Sequence, residues 1–302
     1  MTLSEKIANG IGIDEAYVEI IATRNNLYAK YYIPKKNGRK RLIMQPSKEL
    51  KVIQRWLVKN ILCDFPISEY SYAYNKGDSI KKNALIHRKG SHLLHTDIIN
   101  FFPSISRNML KLYFENNEKI VRKLGLTEND IELLLDICLY RGEFLVVGSA
   151  ASPRISNMVM YEFDLEVKNI LDDFGQFQYT RYADDIVISS TSFIVEEVLE
   201  EIEQLMETYG FHMNRNKTYY MSKNKKRQVT GIVLDNNRDV LTIGTKKYKM
   251  LQRMIYSYLI KGEGDLSYIK GYLSYIKEVS KQQYCQLKTT YSRYDKERKI
   301  FD

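Results

Sequence analysis

Residues 178–189 read Gln-Tyr-Thr-Arg-Tyr-Ala-Asp-Asp-Ile-Val-Ile-Ser, with two adjacent aspartates, Asp184 and Asp185, between two β-type runs. The surrounding residues 176–190 predict a strand, a tight turn and a second strand, so both carboxylates should lie at the tip of a hairpin. Two neighbouring negative charges are costly to remove from water, and a divalent cation at the tip would offset that cost. The other adjacent pair, residues 172–173, has no strand on either side, and we interpret it as ordinary helix-end charge.

A third aspartate follows another apolar, β-rich run. Residues 91–99 predict a strand that carries Asp97 near its end, and residues 101–103, Phe-Phe-Pro, stop it. Alone, such a residue would be read as a strand-end cap. Two packed strands, however, would bring Asp97 beside Asp184 and Asp185. Three carboxylates together would hold two Mg²⁺ ions about 3.5–4 Å apart, the arrangement that clamps the attacking and leaving oxygens of an in-line phosphoryl transfer.

The whole chain is basic and unusually rich in tyrosine. Its 302 residues include 46 Lys+Arg against 37 Asp+Glu, a formal charge of +9, and 24 Tyr against 11 Phe and 1 Trp. Tyrosine can stack on bases while still facing water, so this composition favours nucleic acid as a partner, although an ordinary core would account for many of the tyrosines.

The positive charge is concentrated at two places along the chain. Residues 30–60 carry ten Lys/Arg and one acid, and residues 245–302 carry thirteen Lys/Arg, six acids and nine tyrosines. The neutral-to-acidic middle between them contains the three aspartates. This pattern indicates two basic surfaces that grip a polyanion around a carboxylate-bearing centre, with a solvated basic face as the alternative for either cluster.

Composition also excludes several classes of protein. With 44% hydrophobic residues and a mean hydropathy of −0.39, the chain reads as globular. It has no apolar run near the ~18–20 residues of a membrane span, and its start lacks the apolar core of a signal peptide. The three cysteines (Cys63, Cys138 and Cys285) are far apart, which argues against a disulfide framework or a cysteine zinc site. We therefore expect a reduced, cytoplasmic protein.

The rest of the chain predicts mixed α and β structure followed by a helical end. Periodicity predicts helices over 47–62, 127–140, 156–174 and 192–209, and a hairpin from strands at 228–234 and 240–243. After Thr245 come three helical segments, separated near residues 262–264 and Ser280. His92 and His95, three apart on the predicted strand, should point to opposite faces and share no metal.

The order of these motifs resembles that of reverse transcriptases. Asp97 with residues 101–102 matches the family's motif A, residues 148–157 (Gly-Ser-Ala-Ala-Ser-Pro-Arg-Ile-Ser-Asn) match motif B, residues 182–185 match motif C, and residues 210–218 match motif D; residues 41–56 resemble the fingers motifs. The resemblance covers about residues 30–235. It implies an α+β, right-hand polymerase fold, with an N-terminal extension and interleaved fingers and palm in residues 1–235. Residues 236–302 would be a helical, RNA-binding thumb.

Two short elements resemble the retron type of reverse transcriptase. Residues 83–87, Asn-Ala-Leu-Ile-His, match the retron Asn-Ala-x-x-His element before motif A, and residues 229–231 match the Val-Thr-Gly element after motif D. Asn and His offer donors and acceptors suited to RNA edges or 2′-hydroxyls, and Gly231 permits close backbone approach, so we expect these elements to bind the cognate RNA. Lysines of the basic C-terminal end should contact its phosphates. The RNA-binding candidates are Asn83, His87, Val229, Thr230, Gly231, Lys246, Lys247 and Lys249. The alternative for Asn83 and His87 is that they tie a loop to the palm.

The resemblance also implies roles at the active site. Asp97, Asp184 and Asp185 would be catalytic and would hold two Mg²⁺ ions, with help from the backbone carbonyl of Ile98. The nucleotide-binding candidates are Arg41 and Lys40 for the triphosphate, Phe102 as the aromatic residue that rejects a 2′-hydroxyl, Gly148, and Lys217 for the departing pyrophosphate. Lys40 is a weaker candidate than Arg41, as are Lys35 and Lys36 in the same loop. Phe102 as core packing and Lys217 as a surface lysine are the structural alternatives.

Motif B departs from the family pattern at one position. Many reverse transcriptases have Pro-Gln-Gly there, whereas this chain has Val146-Val147-Gly148. The Val147 side chain cannot donate the hydrogen bond that a glutamine would offer near the nucleotide sugar. Nucleotide binding should therefore depend more on Gly148, Phe102 and Arg41.

The resemblance implies an RNA-directed DNA polymerase that copies a structured non-coding RNA into RNA-linked single-stranded DNA (msDNA). A guanosine 2′-hydroxyl of that RNA would prime synthesis from dNTPs, and a separate effector protein would act with the enzyme in phage defence. Two alternatives stay open. A generic, group II intron-like reverse transcriptase would use a separate primer, and a catalytically idle RNA-binding antitoxin would have no need of three clustered carboxylates.

Overall fold

The computed structural model describes residues 1–24, 26–34, 38, 40–296 and 299–301. The N-terminal part forms α1 (Leu3–Ile11), α2 (Glu15–Thr23), β1 (Tyr28–Pro34), β2 (Lys40–Pro46), α3 (Lys48–Asn60), α4 (Ile80–Ile86) and β3 (His92–Asp97). The middle forms α5 (Phe101–Ser104), α6 (Arg107–Asn116), α7 (Glu118–Lys123), α8 (Glu128–Cys138), α9 (Ser152–Val159), α10 (Tyr161–Phe174), β4 (Gln178–Tyr182), β5 (Asp185–Ser190) and α11 (Glu196–Thr208). The remainder forms β6 (Tyr219–Ser222), β7 (Arg227–Val229), β8 (Ile232–Leu234), β9 (Leu241–Thr242), α12 (Thr245–Tyr256), α13 (Leu266–Val279) and α14 (Lys281–Tyr291).

A four-stranded antiparallel sheet lies at the centre, in the order β4-β5-β3-β6. Successive residues of its strands face opposite sides, as the period of two requires. Leu94 and Ile188 belong to one hydrophobic core, built with the helices between α1 and α11, while Leu93 and Val187 belong to a second core. The sheet is thus buried on both faces, and its end carries the catalytic candidates.

The second core joins the sheet to the C-terminal helices. Leu93 and Val187 share it with residues of β7–β9 and of α12–α14, such as Leu251 and Ile276. Helix α12 continues through one π-helical turn at 257–261, and Asp265 caps α13 by accepting from the backbone N–H of Ser267 and Tyr268. The predicted three helical segments are confirmed. The division into residues 1–235 and 236–302 stays a prediction, since this core draws on both.

The N-terminal helix pair, α1 and α2, precedes the basic residues 30–60, whose described part forms the β1–β2 hairpin and α3. Helix α1 packs on both α2 and α3, and α2 also contacts α8. Helix α3 begins where Ser47 accepts from the backbone N–H of Leu50, as predicted for a helix over 47–62. Strands β1 and β2 form an antiparallel hairpin that carries Lys40 and Arg41 on its second strand. Lys35 and Lys36 fall outside the described residues.

Two predicted elements differ in the structure. The single helix over 156–174 is two helices, α9 and α10, because Met160 (φ −81°, ψ 5°) leaves helical geometry between them. The single strand over 228–234 is the hairpin β7–β8, since Thr230 (φ 43°) and Gly231 (φ 85°) form a two-residue turn of type I′. Apolar spacing continues across both breaks, so periodicity does not reveal them.

No helix in the described ranges has both the length and the apolar character that crossing a bilayer demands.

Candidate active site

The hairpin predicted around the paired aspartates is confirmed, and its turn is strained. Tyr182 pairs with Asp185, which leaves Ala183 and Asp184 as a two-residue turn between β4 and β5. Ala183 has φ 59°, a conformation that costs an L-residue with a Cβ about 1–2 kcal/mol. The Asp184 carbonyl accepts a hydrogen bond from the Ile98 N–H at 3.0 Å. This bond fixes the turn against the residue that follows β3.

The three predicted carboxylates come together at this end of the sheet. Asp97 is the register partner of Asp185 across β3 and β5, and carboxylate oxygens of Asp97, Asp184 and Asp185 all lie within 4.8 Å of one another. Asp97 is almost fully buried, and the other two are partly exposed. A set of oxygen-only ligands fits a hard divalent cation. The arrangement supports the use of a divalent metal.

The surroundings of Asp184 raise its pKa. Burial, followed by the charges of Asp185 and Asp97, raises its pKa to about 6. A carboxyl group in this state holds its proton well above the ordinary range, and a divalent cation would favour the charged form instead. A bound divalent cation would therefore offset the cost of holding these negative charges together.

Asp97 is also tied to the segment matched to motif D. Lys217 Nζ lies 2.6 Å from Asp97 Oδ2, and the Asn214 side-chain amide donates to Asp97 Oδ1 at 3.0 Å. The Asn214 backbone N–H donates to the Asp97 carbonyl at 2.7 Å. Lys217 thus lies at the carboxylate cluster despite its half-exposed side chain. Asn214 was assigned no role from the sequence, although it lies within the motif.

His95 is a second residue that the sequence did not assign to the site. Its Nε2 lies 3.5 Å from Asp185 Oδ1, its Nδ1 is 3.2 Å from the Lys217 carbonyl oxygen, and its ring stacks on Tyr219. Although burial acts to lower it, hydrogen bonding to Asp185 and the charge of that carboxylate raise the pKa of His95. His92, on the other face of β3, contacts Phe193 instead. The alternation of the strand was the available signal, since it places His95 on the same side as Asp97.

A buried ion pair between Arg181 and Asp164 holds the turn at Ala183 and Asp184. Arg181 donates to both carboxylate oxygens of Asp164 on α10 at 2.8 Å, to Asn157 Oδ1 on α9 at 3.3 Å and to the Ala183 carbonyl at 3.2 Å. All three side chains are fully buried. Breaking such a pair leaves an uncompensated charge, so Arg181 links the strained turn rigidly to two helices.

The β1–β2 hairpin contacts the loop matched to motif B at Gly148. The Met44 N–H donates to the Val147 carbonyl at 2.8 Å, and a Cβ on Gly148 would lie 2.6 Å from the Met44 carbonyl oxygen. Gly148 also has φ 114°, so no other residue fits there without displacing β2. The fully buried Gln54 holds the same loop, accepting from the Ser149 hydroxyl and the Ala150 N–H at 3.1 Å.

Comparison with known proteins agrees with this geometry. The family model for reverse transcriptases (RNA-dependent DNA polymerases) matches residues 33–234. The Retron Ec86 reverse transcriptase of Escherichia coli is 30% identical over 280 residues, covering 92% of this chain and 84% of its own. The chain belongs to the retron reverse transcriptases. The Retron Ec83 reverse transcriptase of Escherichia coli is 31% identical over 254 residues, covering 80% of this chain and 77% of its own.

A solved structure supports the fold of this reverse transcriptase. Telomerase from Candida tropicalis, in complex with a TWJ fragment of telomeric RNA, superposes with a TM-score of 0.50 at 13% identity, covering 91% of this chain. The reverse transcriptase spans only about half of the telomerase chain, 56%. The prediction of an α+β, right-hand polymerase fold is confirmed, and the reverse transcriptase is an RNA-directed DNA polymerase that takes an RNA template.

The first retron element is buried inside the reverse transcriptase. His87 is fully buried, with Nδ1 2.8 Å from the Ser189 hydroxyl and Nε2 2.7 Å from the Thr180 hydroxyl. Burial lowers its pKa to about 3, so the ring is neutral. Asn83 is equally buried, with its amide nitrogen 3.5 Å from the Thr230 hydroxyl. Neither side chain presents surface in this structure. His87 braces the end of α4 against β4 and β5, and Asn83 joins α4 to the β7–β8 turn, while their contact with RNA stays a prediction.

The second retron element lies against the first. Val229 is fully buried, which likewise leaves it no surface for RNA, while Thr230 and Gly231 are partly exposed in their turn. The Gly231 carbonyl accepts a hydrogen bond from Lys247 Nζ at 3.2 Å. Lys246 and Lys249 are exposed on α12. Of the predicted RNA-binding residues near this turn, Thr230, Gly231 and the α12 lysines present surface.

Proposed function

We propose that this reverse transcriptase copies a structured non-coding RNA into single-stranded DNA that stays joined to it as msDNA. The observation that carries the polymerase chemistry is the convergence of Asp97, Asp184 and Asp185 within 4.8 Å. The retron type is supported by relatives that match most of the chain, and by the contact between its two retron elements. We assign priming to a guanosine 2′-hydroxyl of the same RNA.

At the active site, Asp97, Asp184 and Asp185 would hold two Mg²⁺ ions, with the Ile98 carbonyl as a further ligand. Bound there, the metal ions supply an activated attacking hydroxyl and stabilise the leaving pyrophosphate. Lys217, already beside Asp97, would give a proton or positive charge to that pyrophosphate.

Substrate binding would be divided among the fingers, motif B and the thumb. Arg41 and Lys40, both exposed on β2, would contact the triphosphate, which suits a planar guanidinium. Gly148 would let the backbone approach the nucleotide, and the Phe102 ring would exclude a 2′-hydroxyl. Thr230, Gly231, Lys246, Lys247 and Lys249 would contact RNA phosphates, with residues 1–235 as fingers and palm and 236–302 as thumb.

We further propose that the enzyme works in the bacterial cytoplasm, where its RNA and dNTPs are made, with a separate effector protein in phage defence. This part is supported only by the relationship to retron reverse transcriptases.

The test is to purify the protein from its host and sequence the nucleic acid bound to it, using Asp184→Asn as the matched control. We expect one structured RNA with both proteins, and DNA covalently attached to that RNA only with the wild type. Debranching activity specific for 2′–5′ bonds should separate the two strands. Mixed RNAs, and synthesis only from an added primer, would instead identify a generic reverse transcriptase.

A further inference from the structure

Tyr74 adopts a backbone conformation that disfavours its side chain. Its φ is 69°, and among the described residues outside glycine it is the only aromatic residue with a positive φ. The left-handed region costs such a residue about 1–2 kcal/mol, and for a bulky side chain it is a true outlier. Strain of this kind persists only where the surrounding structure enforces it, and it concentrates at functional sites.

The neighbours of Tyr74, and not its own side chain, enforce the strain. The Asn157 amide donates to the Ala73 carbonyl at 2.8 Å and to Asn75 Oδ1 at 3.3 Å, and the Asn75 amide donates to the Ser71 carbonyl at 3.1 Å. Tyr74 itself is 51% exposed, and its hydroxyl has no hydrogen-bond partner in the part of the chain that the structure describes. Burial of the Tyr74 ring in the core therefore does not offset the strain of its positive φ.

The Tyr74 ring packs beside Phe102, five residues after Asp97. Its centroid is 6.4 Å from that of Phe102, with the planes tilted by 38°. Burial, followed by the negative charge of Asp184, raises the pKa of Tyr74 to about 12. The hydroxyl is thus an unengaged hydrogen-bond donor on a ring that packs beside Phe102, whereas the side chain of Val147 in the motif B loop has no donor.

We propose that Tyr74 is a further substrate-binding residue, which binds the sugar of the incoming deoxynucleoside triphosphate. Its ring packs beside the sugar together with Phe102, and its hydroxyl donates to the 3′-oxygen. A sugar suits this pair because it offers apolar C–H edges and one hydroxyl acceptor. The inference rests on the polymerase activity alone and holds for either mode of priming.

The decisive variant is Tyr74→Phe, which keeps the ring and removes the hydroxyl. On an RNA template with an annealed DNA primer, its KM for a dNTP should rise about 5- to 10-fold, the effect of one lost hydrogen bond. Its kcat should change by less than about twofold. The apparent affinity for the matching ddNTP, which lacks the 3′-oxygen, should stay the same. Equal changes for dNTP and ddNTP, or no change in either, would overturn the proposal.

Tyr74→Gly tests whether the residue is merely structural. Glycine accepts a positive φ, so the melting temperature should hold or rise while KM rises for both dNTP and ddNTP. A lower melting temperature with an unchanged KM would show that Tyr74 only packs.

Tyr72→Phe is the matched control, because Tyr72 lies in the same loop but lines a cavity with Glu69 and Tyr179, away from the carboxylates. Its KM should equal that of the wild type, and a rise as large as in Tyr74→Phe would overturn the assignment. The annealed primer makes these results independent of self-priming, and extension by the wild type reports the polymerase activity separately.

Discussion

The two ends of the central sheet handle buried polar groups in opposite ways. At one end, Asp97, Asp184 and Asp185 crowd their negative charges together, and burial, followed by the charges of the other two, raises the pKa of Asp184. At the other end, the neutral His87 ring joins β4 to β5 with a hydrogen bond at each nitrogen. The carboxylates proposed for catalysis thus lie where like charges repel one another. The hydrogen bonds of His87 stabilise the opposite end of the same strands.

Removing a carboxylate from the catalytic end should have the largest effect. We expect Asp184→Asn to reduce DNA synthesis by about three orders of magnitude or more, because metal ligation is lost. The melting temperature should hold or rise, since repulsion is relieved. Primer extension and thermal unfolding measure the two quantities. Extension at the wild-type rate would contradict the metal-site assignment.

Removing the histidine from the opposite end should give the reverse pattern. His87→Ala leaves two buried hydroxyls without partners, at a cost of about 2–5 kcal/mol in the free energy of unfolding. Denaturant unfolding measures the loss, and His92→Ala on the neighbouring strand is the control. Synthesis on the protein's own RNA and on an annealed primer should fall together. A selective loss on its own RNA would support a direct role for His87 in RNA binding.

The catalytic end should also make the metal-free protein sensitive to pH. The folded Asp184 keeps its proton up to about pH 6, whereas the unfolded chain releases it near its ordinary value of 3.8. The folded state therefore binds more protons between about pH 4 and pH 6, and the free energy of unfolding falls as pH rises through this window, by at most about 3 kcal/mol.

Chelator-containing buffers and the difference between wild type and Asp184→Asn isolate this contribution from other titrating groups. The difference should shrink when Mg²⁺ is added. A difference that stays constant from pH 4 to pH 7 would show that burial and the neighbouring carboxylates do not raise the pKa of Asp184.

The smallest of these effects concerns the aromatic residue beside the catalytic end. Phe102→Val opens space next to the nucleotide sugar, so the ratio of rNTP to dNTP incorporation should rise about tenfold, a difference typical of a changed apolar contact. Competitive single-nucleotide incorporation measures this ratio. If it stays constant while the melting temperature falls, Phe102 is a packing residue.

Local patterns predicted the parts of the molecule that depend on neighbours in sequence. The strand–turn–strand around Asp184 and the apolar strand that carries Asp97 near its end were both predictable, and together they specify the carboxylate cluster. The contacts of Arg181, Asn214 and Tyr74 were not, because they join segments distant in sequence and leave no periodic trace.

Some signals were present but were interpreted differently. Asn83 and His87 are four residues apart, a spacing that places both on one face of a short helix, and this face turns out to be the buried one. Gly231 within an apolar run favoured a turn over a continuous strand. In both cases the match to a retron element suggested RNA contact, whereas packing determines the position of the side chain.

The junction between β2 and the motif B loop has a consequence for how this enzyme can vary. It is held by a main-chain hydrogen bond from the Met44 amide to the Val147 carbonyl, beside a close approach that only a glycine at position 148 permits. The side chain at position 147 takes no part in that hydrogen bond. Evolution can therefore replace a polar residue by valine at position 147 and alter nucleotide selection, while the contact between β2 and the motif B loop is kept.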